Sequence, residues 1–144
     1  MEKSSLNRQE SKSKAMKALK KKINVHVEKT STGYSAYTED LTVFTTGKDI
    51  TELHVHLIEA LNLAYESLGV EVTAENLKLH LDLHQFFQHY KVLNANFLAK
   101  RIGMNPTLLS QYVRGKKRPS SKQTDKIIKG IQTIGKELAD LNLV

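Results

Sequence analysis

Apolar and polar residues alternate from Lys22 in the run KINVHVEKT, where Ile23, Val25 and Val27 take turns with Asn24, His26 and Glu28. A period of two places the apolar set on one face of a strand. Ser31-Thr32-Gly33 supplies a turn, YSAYTE a second strand and Leu41 to Gly47 a third, all rich in β-branched and aromatic residues. These runs predict a three-stranded antiparallel meander. The period then changes: Leu53, Leu57, Ala60, Leu61, Ala64 and Leu68 recur at helical intervals up to Gly69, and Asp49 stands three residues before Glu52, the spacing of a capping box. NLKLHLDL returns to alternation, with Leu77, Leu79, Leu81 and Leu83 on one side, and predicts a fourth strand. Residues 22–83 therefore read as a β-β-β-α-β module.

Residues 84–144 carry only helical patterns. HQFFQHY predicts a short helix whose Phe86, Phe87 and Tyr90 supply aromatic core, and Asn94 caps a second helix from Ala95 to Ile102. Gly103 suits a tight turn, after which Asn105 and Pro106 open a third helix ending near Val113. Beyond the loop RGKKRP, Ser120 and Gln123 have capping-box spacing, and Ile127, Ile128, Ile131, Ile134 and Leu138 face inward along a last helix. Residues 1–21 offer little for packing beyond Ala15, Met16, Ala18 and Leu19 and read as a mobile basic arm. The expected fold class is α+β: a sheet-and-helix module followed by an all-α domain.

Composition narrows the setting. With 40% hydrophobic and 26% charged residues the chain has the balance of a soluble globular protein. No apolar run approaches the ~20 residues of a membrane span, and the start lacks the apolar middle of a signal peptide, so no membrane partner is expected and the expected location is the cytoplasm. The absence of cysteine removes disulfides, thiolate metal sites and cysteine catalysis.

Charge is divided along the chain. The total is +7, but residues 31–90 hold two Lys/Arg against nine acidic residues, while residues 91–136 hold eleven against Asp125 alone. Two surfaces for different partners follow from that division. In the basic part, helix, glycine turn and helix, with Ala99 four residues before Gly103, have the order of a DNA-binding helix-turn-helix. Leu98, Ile102, Met104, Leu109 and Tyr112 fall where such a unit packs, which leaves Asn105, Thr107, Ser110, Gln111 and Arg114 to face bases. Amide and guanidinium groups form paired hydrogen bonds to adenine and guanine edges, so Gln111 and Arg114 are the first candidates for readout. Lys116, Lys117, Arg118 and Lys122 are candidates for phosphate contact.

Other chemistries find less. His80 and His84 share a face of a strand but lie about 13 Å apart, too far for one ion. His54 and His56 point to different sides of a helix. The histidines are read as ordinary solvated residues and no metal or other cofactor is expected. Two-metal phosphodiester cleavage needs converging carboxylates, and although Asp40 and Asp49 lie near strand ends, Glu52, Glu59 and Glu66 read as a polar helix face. No enzymatic activity is expected.

The run INVHVEKTSTGYSAYTEDLTVFTTGKDITELHVHLIEAL resembles the N-terminal domain of HicB antitoxins, and the half from LKLHLDL to KKRPS resembles the Cro/C1-type helix-turn-helix appended to some of them. Where HicB sequences often have a Pro-Asp-Leu-Pro-Gly loop, this chain has Glu39-Asp40-Leu41-Thr42. The resemblance implies a degenerate RNase H-like domain that binds a small basic HicA-like toxin, an RNA-cleaving protein, and a C-terminal domain that binds operator DNA. It gives no role to the basic arm. Glu39, Asp40 and Asp49 are the candidate toxin contacts. A homodimer, or a higher homo-oligomer, is expected because helix-turn-helix proteins usually read two half-sites; Leu138, Leu141, Leu143 and Val144 are candidates for that contact. The alternative is a transcriptional regulator whose N-terminal module senses a small ligand; a metal-dependent nuclease would need Asp40 or Asp49.

Overall fold

A computed structural model of the chain describes residues 16–143. Residues 1–15 of the expected arm, and Val144, lie outside them. The fold is α+β, and the chain divides into two compact units between His80 and Leu81.

In the first unit, strands β2 (Ile23–Lys29), β3 (Tyr34–Thr38) and β4 (Val43–Gly47) form the expected antiparallel meander. Helix α1 (Ile50–Tyr65) follows, and β6 (Leu77–Leu81) joins beside β2, giving the order β4-β3-β2-β6. Alternation does what the sequence predicted: Ile23, Val25 and Val27 are buried together with Ala36 and Val43, against Leu53, Leu57 and Leu61 of α1. Full burial of a side chain of this size contributes about 1.5–3 kcal/mol, so this layer of contacts is a large favourable term for the unit. Asp49 caps α1 by accepting from the Glu52 amide at 2.8 Å. The return bond of the expected box goes instead to the neighbouring residue, the Lys48 amide donating to Glu52 at 3.2 Å. Gly47 lets β4 meet α1 closely: a Cβ there would stand 2.5 Å from the Leu53 nitrogen.

The helical pattern is cut short at its end. Tyr65 is buried where Leu68 was expected inside, and Leu68, in a 3-10 turn after α1, is 62% exposed. Part of the expected arm is also strand: β1 (Lys17–Ala18) pairs in parallel with β5 (Val70–Glu71). Two residues show no period, and their partner lies some fifty positions away in the chain, so neither strand could be read locally.

Two asparagines fasten this region. Asn62 of α1 acts as a strand partner for Val72, donating to its carbonyl at 3.0 Å and accepting from its amide at 2.8 Å. Asn76, buried, donates to the carbonyls of Leu19 at 2.7 Å and Lys21 at 2.9 Å and accepts from the Thr73 amide.

The second unit comprises α2 (Leu83–His89), α3 (Ala95–Ile102), α4 (Pro106–Val113) and α5 (Ser121–Ala139). Leu83 belongs to α2 and not to the preceding strand, because Asp82 caps the helix through the Gln85 amide and Leu83, Phe86 and Phe87 then share one buried face. Leu98, Ala99, Met104, Leu109, Tyr112 and Ile127 complete the core. Ile128, Ile131 and Ile134 pack against it, whereas Leu138, expected inward, is 67% exposed near the helix end.

Two outcomes are expected. Asn76→Ala leaves three backbone groups without their partner and lowers stability by about 1–3 kcal/mol in urea unfolding; an unchanged midpoint would show that water replaces the amide fully. His80, partly buried and close to Lys78 and His26, is held below the usual histidine value of 6.5, with burial the leading cause. The unfolded chain thus takes up this proton first, so stability falls as pH drops below 6.5 and the contribution is absent above it. The drop in unfolding free energy between neutral and mildly acid pH should be smaller in His80→Asn than in the parent chain.

Candidate nucleic-acid interface

The α3–α4 junction is built from backbone geometry first. Gly103 ends α3 in the left-handed region (φ 68°, ψ 34°), where a side chain is strained, and its N–H donates to the carbonyls of Ala99 and Lys100. The Met104 amide then donates to Ala99 at 2.9 Å, turning the chain within a few residues. Asn105 caps α4 by accepting from the Thr107 amide at 2.8 Å and the Leu108 amide at 3.4 Å, and Pro106 fills the first helical position, where no amide proton is needed. Ala99 is fully buried, and Leu109 and Tyr112 turn the inner side of α4 into the core.

The opposite side of α4 faces outward. Thr107, Ser110, Gln111 and Arg114 follow helical spacing, and with Pro106 and Lys116 they line one wall of a groove of about 780 Å³. The other wall is the α2–α3 connection and the start of α3, residues 91–96, including Lys91, Asn94 and Asn96. Five of the sequence candidates are thus brought together: Thr107, Ser110, Gln111, Arg114 and Lys116. Asn105 is exposed, but its side-chain oxygen is committed to capping. Lys117, Arg118 and Lys122 are exposed and lie off the groove walls. Lys91 and Asn96 were not singled out in the sequence; their one signal was their position beside the Asn94 cap.

The basic loop is held by its backbone while its side chains stay free to extend. The amides of Lys116 and Lys117 donate to the Gln111 carbonyl at 2.9 and 3.3 Å. His84 of α2 reaches across, its Nδ1 lying 2.7 Å from the Val113 carbonyl, and Gly115 passes so close that a Cβ would stand 3.2 Å from the ring. The carbonyl requires a donor, so Nδ1 carries the proton, and Nε2 is left to accept from Gln88 Nε2 at 3.2 Å. His84 is therefore a positioning residue and not a solvated one. His80, bonded to Asn24 at 2.9 Å, and His56, bonded to the Thr46 carbonyl at 2.6 Å, depart from that expectation in the same way. Among the described residues no three His, Asp or Glu side chains converge as metal ligands would.

The arrangement suits binding of a polyanion. Hydroxyl, amide and guanidinium groups on a helix face can reach base edges, and lysines on both walls can meet phosphates on either side. Arg101 is withdrawn from this set: it pairs with Glu137 of α5, and that hydrogen bond raises its affinity for a proton.

The acidic candidates of the sheet unit do not form one site. Glu39 and Asp40 sit in the turn between β3 and β4, where Glu39 lies 3.5 Å from His26 Nε2 and Asp40 3.5 Å from Lys21 Nζ. Tyr65 first, and Asp40 after it, hold the Lys21 ammonium above its ordinary value. Asp49 lies past the far end of β4 and is occupied in capping α1.

Helix α5 provides a paired test of this packing. Glycine within a helix costs about 1 kcal/mol relative to alanine. At Gly135 an added Cβ meets nothing within 4 Å, so Gly135→Ala is expected to stabilise by about 0.5–1 kcal/mol. At Gly130 it would stand 2.3 Å from Ile102 Cγ2, so Gly130→Ala should lose that gain and weaken α3–α5 packing. Equal stabilisation by both substitutions in thermal unfolding would contradict this account.

Comparison with protein-family models, with curated proteins and with solved structures finds no match.

Proposed function

We propose that the protein is an antitoxin and autorepressor: its helical unit binds operator DNA in a sequence-specific way, and its sheet unit, a degenerate RNase H-like module of HicB type, binds and blocks a basic, RNA-cleaving toxin. The observation that carries this reading is the outward face of α4, where Thr107, Ser110, Gln111 and Arg114 stand in one groove beside an anchored basic loop. Gln111 and Arg114 read bases; Lys116, Lys117, Arg118 and Lys122 meet phosphates, joined by Lys91 on the opposite wall. Two copies of the chain engage a two-fold operator. The sheet unit acts by binding and not by catalysis, in the cytoplasm, and the acidic balance of residues 31–90 supports a basic partner for it.

The test is binding to the DNA upstream of the chain's own gene, followed by anisotropy at several salt concentrations. Gln111→Ala and Arg114→Ala should each weaken the specific complex by about 1–3 kcal/mol and leave non-specific binding nearly unchanged. Lys117→Ala should weaken all sequences alike and reduce the salt slope by about one. If discrimination between operator and random DNA survives both Gln111→Ala and Arg114→Ala, the reading face is misassigned. The antitoxin half is tested by growth: induction of an adjacent small basic reading frame should arrest cells, and this chain supplied in trans should relieve the arrest.

A further inference from the structure

The face of the sheet turned away from α1 carries one ring per strand. Register pairs Phe44 with Tyr37 and Tyr37 with His26. The His26 ring stacks on Tyr37 with centroids 4.9 Å apart and planes 24° from parallel, and His80 of β6 stands 6.0 Å from His26. The row Phe44, Tyr37, His26, His80 thus crosses all four strands in their spatial order. Aromatic residues suit strands, and stacked cross-strand pairs add stability, which accounts for Tyr37 beside His26. It does not account for Phe44, which ends the row 68% exposed, or for Tyr37 at 40%.

Charges beside the row select among the partners that stack on rings. Glu28 shares this face of β2 with His26, and the Glu39 carboxylate reaches His26 Nε2. Lys78 shares the face of β6 with His80. Nucleobases stack on such platforms where cations follow the phosphate backbone, and here two carboxylates outnumber one lysine. Guanidinium groups also stack on ring faces, and they form paired hydrogen bonds to carboxylates.

We propose that this ring row is the docking surface for a basic protein partner, whose arginine side chains stack on Phe44 and Tyr37 and pair with Glu28 and Glu39. The proposal rests on the reading of the sheet unit as the partner-binding half and adds which face does the binding. It leaves Asp49 out of the contact and draws Glu28 and the rings in.

The probe is a short synthetic arginine-glycine peptide, titrated into the full chain at low salt while backbone amide shifts are recorded. Shifts should concentrate on β3, β4 and the Glu39 turn. Phe44→Ala and Tyr37→Ala should each weaken binding about three- to fivefold, and Glu28→Gln with Glu39→Gln should weaken it further. Val55→Ala, on the exposed side of α1, is the control and should change nothing. Peptide shifts elsewhere, or none, overturn the proposal; so does preferential binding of oligouridylate to this face. In cells, Phe44→Ala with Tyr37→Ala should lose relief of growth arrest while keeping operator binding. Full relief by that variant overturns the assignment of the face and leaves the antitoxin reading standing. If the parent chain itself gives no relief, the antitoxin reading falls and the peptide titration alone decides the face.

Discussion

How closely α3 can approach its neighbours governs everything that α4 presents. Ala99 is fully buried at the inside of the turn, and Gly130 lacks the one carbon that would collide with Ile102. With both positions small, Gly103 can reverse the chain, its N–H donating to the Ala99 and Lys100 carbonyls at the end of α3, and α4 lies with Leu109 and Tyr112 inward. A helix fixed by two inward residues a turn apart has no freedom to rotate, so the residues on its opposite side must face outward. The groove wall of Thr107, Ser110, Gln111 and Arg114 is the consequence.

The loop after α4 shows a different way of holding a cationic surface. Lysine and arginine side chains that reach for phosphate must remain solvated when no ligand is present, so they cannot be fixed by burial. The backbone is fixed instead, through the Gln111 carbonyl on one side and His84 on the other. Order in the main chain and freedom in the side chains are compatible because the interactions that create them involve different atoms.

In the sheet unit the corresponding constraint is that one helix covers one face. Leu53, Leu57, Leu61 and Tyr65 fill the inner side, while Tyr37 and Phe44 on the outer one stay exposed among the described residues of this unit. The ring row is the chemical content of that outer side. The two units therefore differ in charge as well as in fold, one carrying cations along a helix and loop, the other rings edged with carboxylates.

Local pattern was enough for the elements whose period runs over several residues. The meander, α1, the alternating part of β6 and the three helices around Gly103 were legible, because alternation or helical spacing reports directly which side of an element meets the core. The outer residues of α4 followed by elimination once Leu109 and Tyr112 were assigned inward. Short or distant pairings were not legible: β1 and β5 are two residues each, Asn62 acts on the backbone of Val72 beyond the end of its helix, and Asn76 acts on the carbonyls of Leu19 and Lys21, far back in the chain. The sequence by itself determined the α+β order, the buried faces and the position of the turn, since these depend on neighbours in the chain. Only the tertiary structure decided that Lys91 and Gln111 line one groove, that His84 holds the basic loop, and that Phe44, Tyr37, His26 and His80 form one row, because each depends on strand order or helix crossing, which no local period encodes.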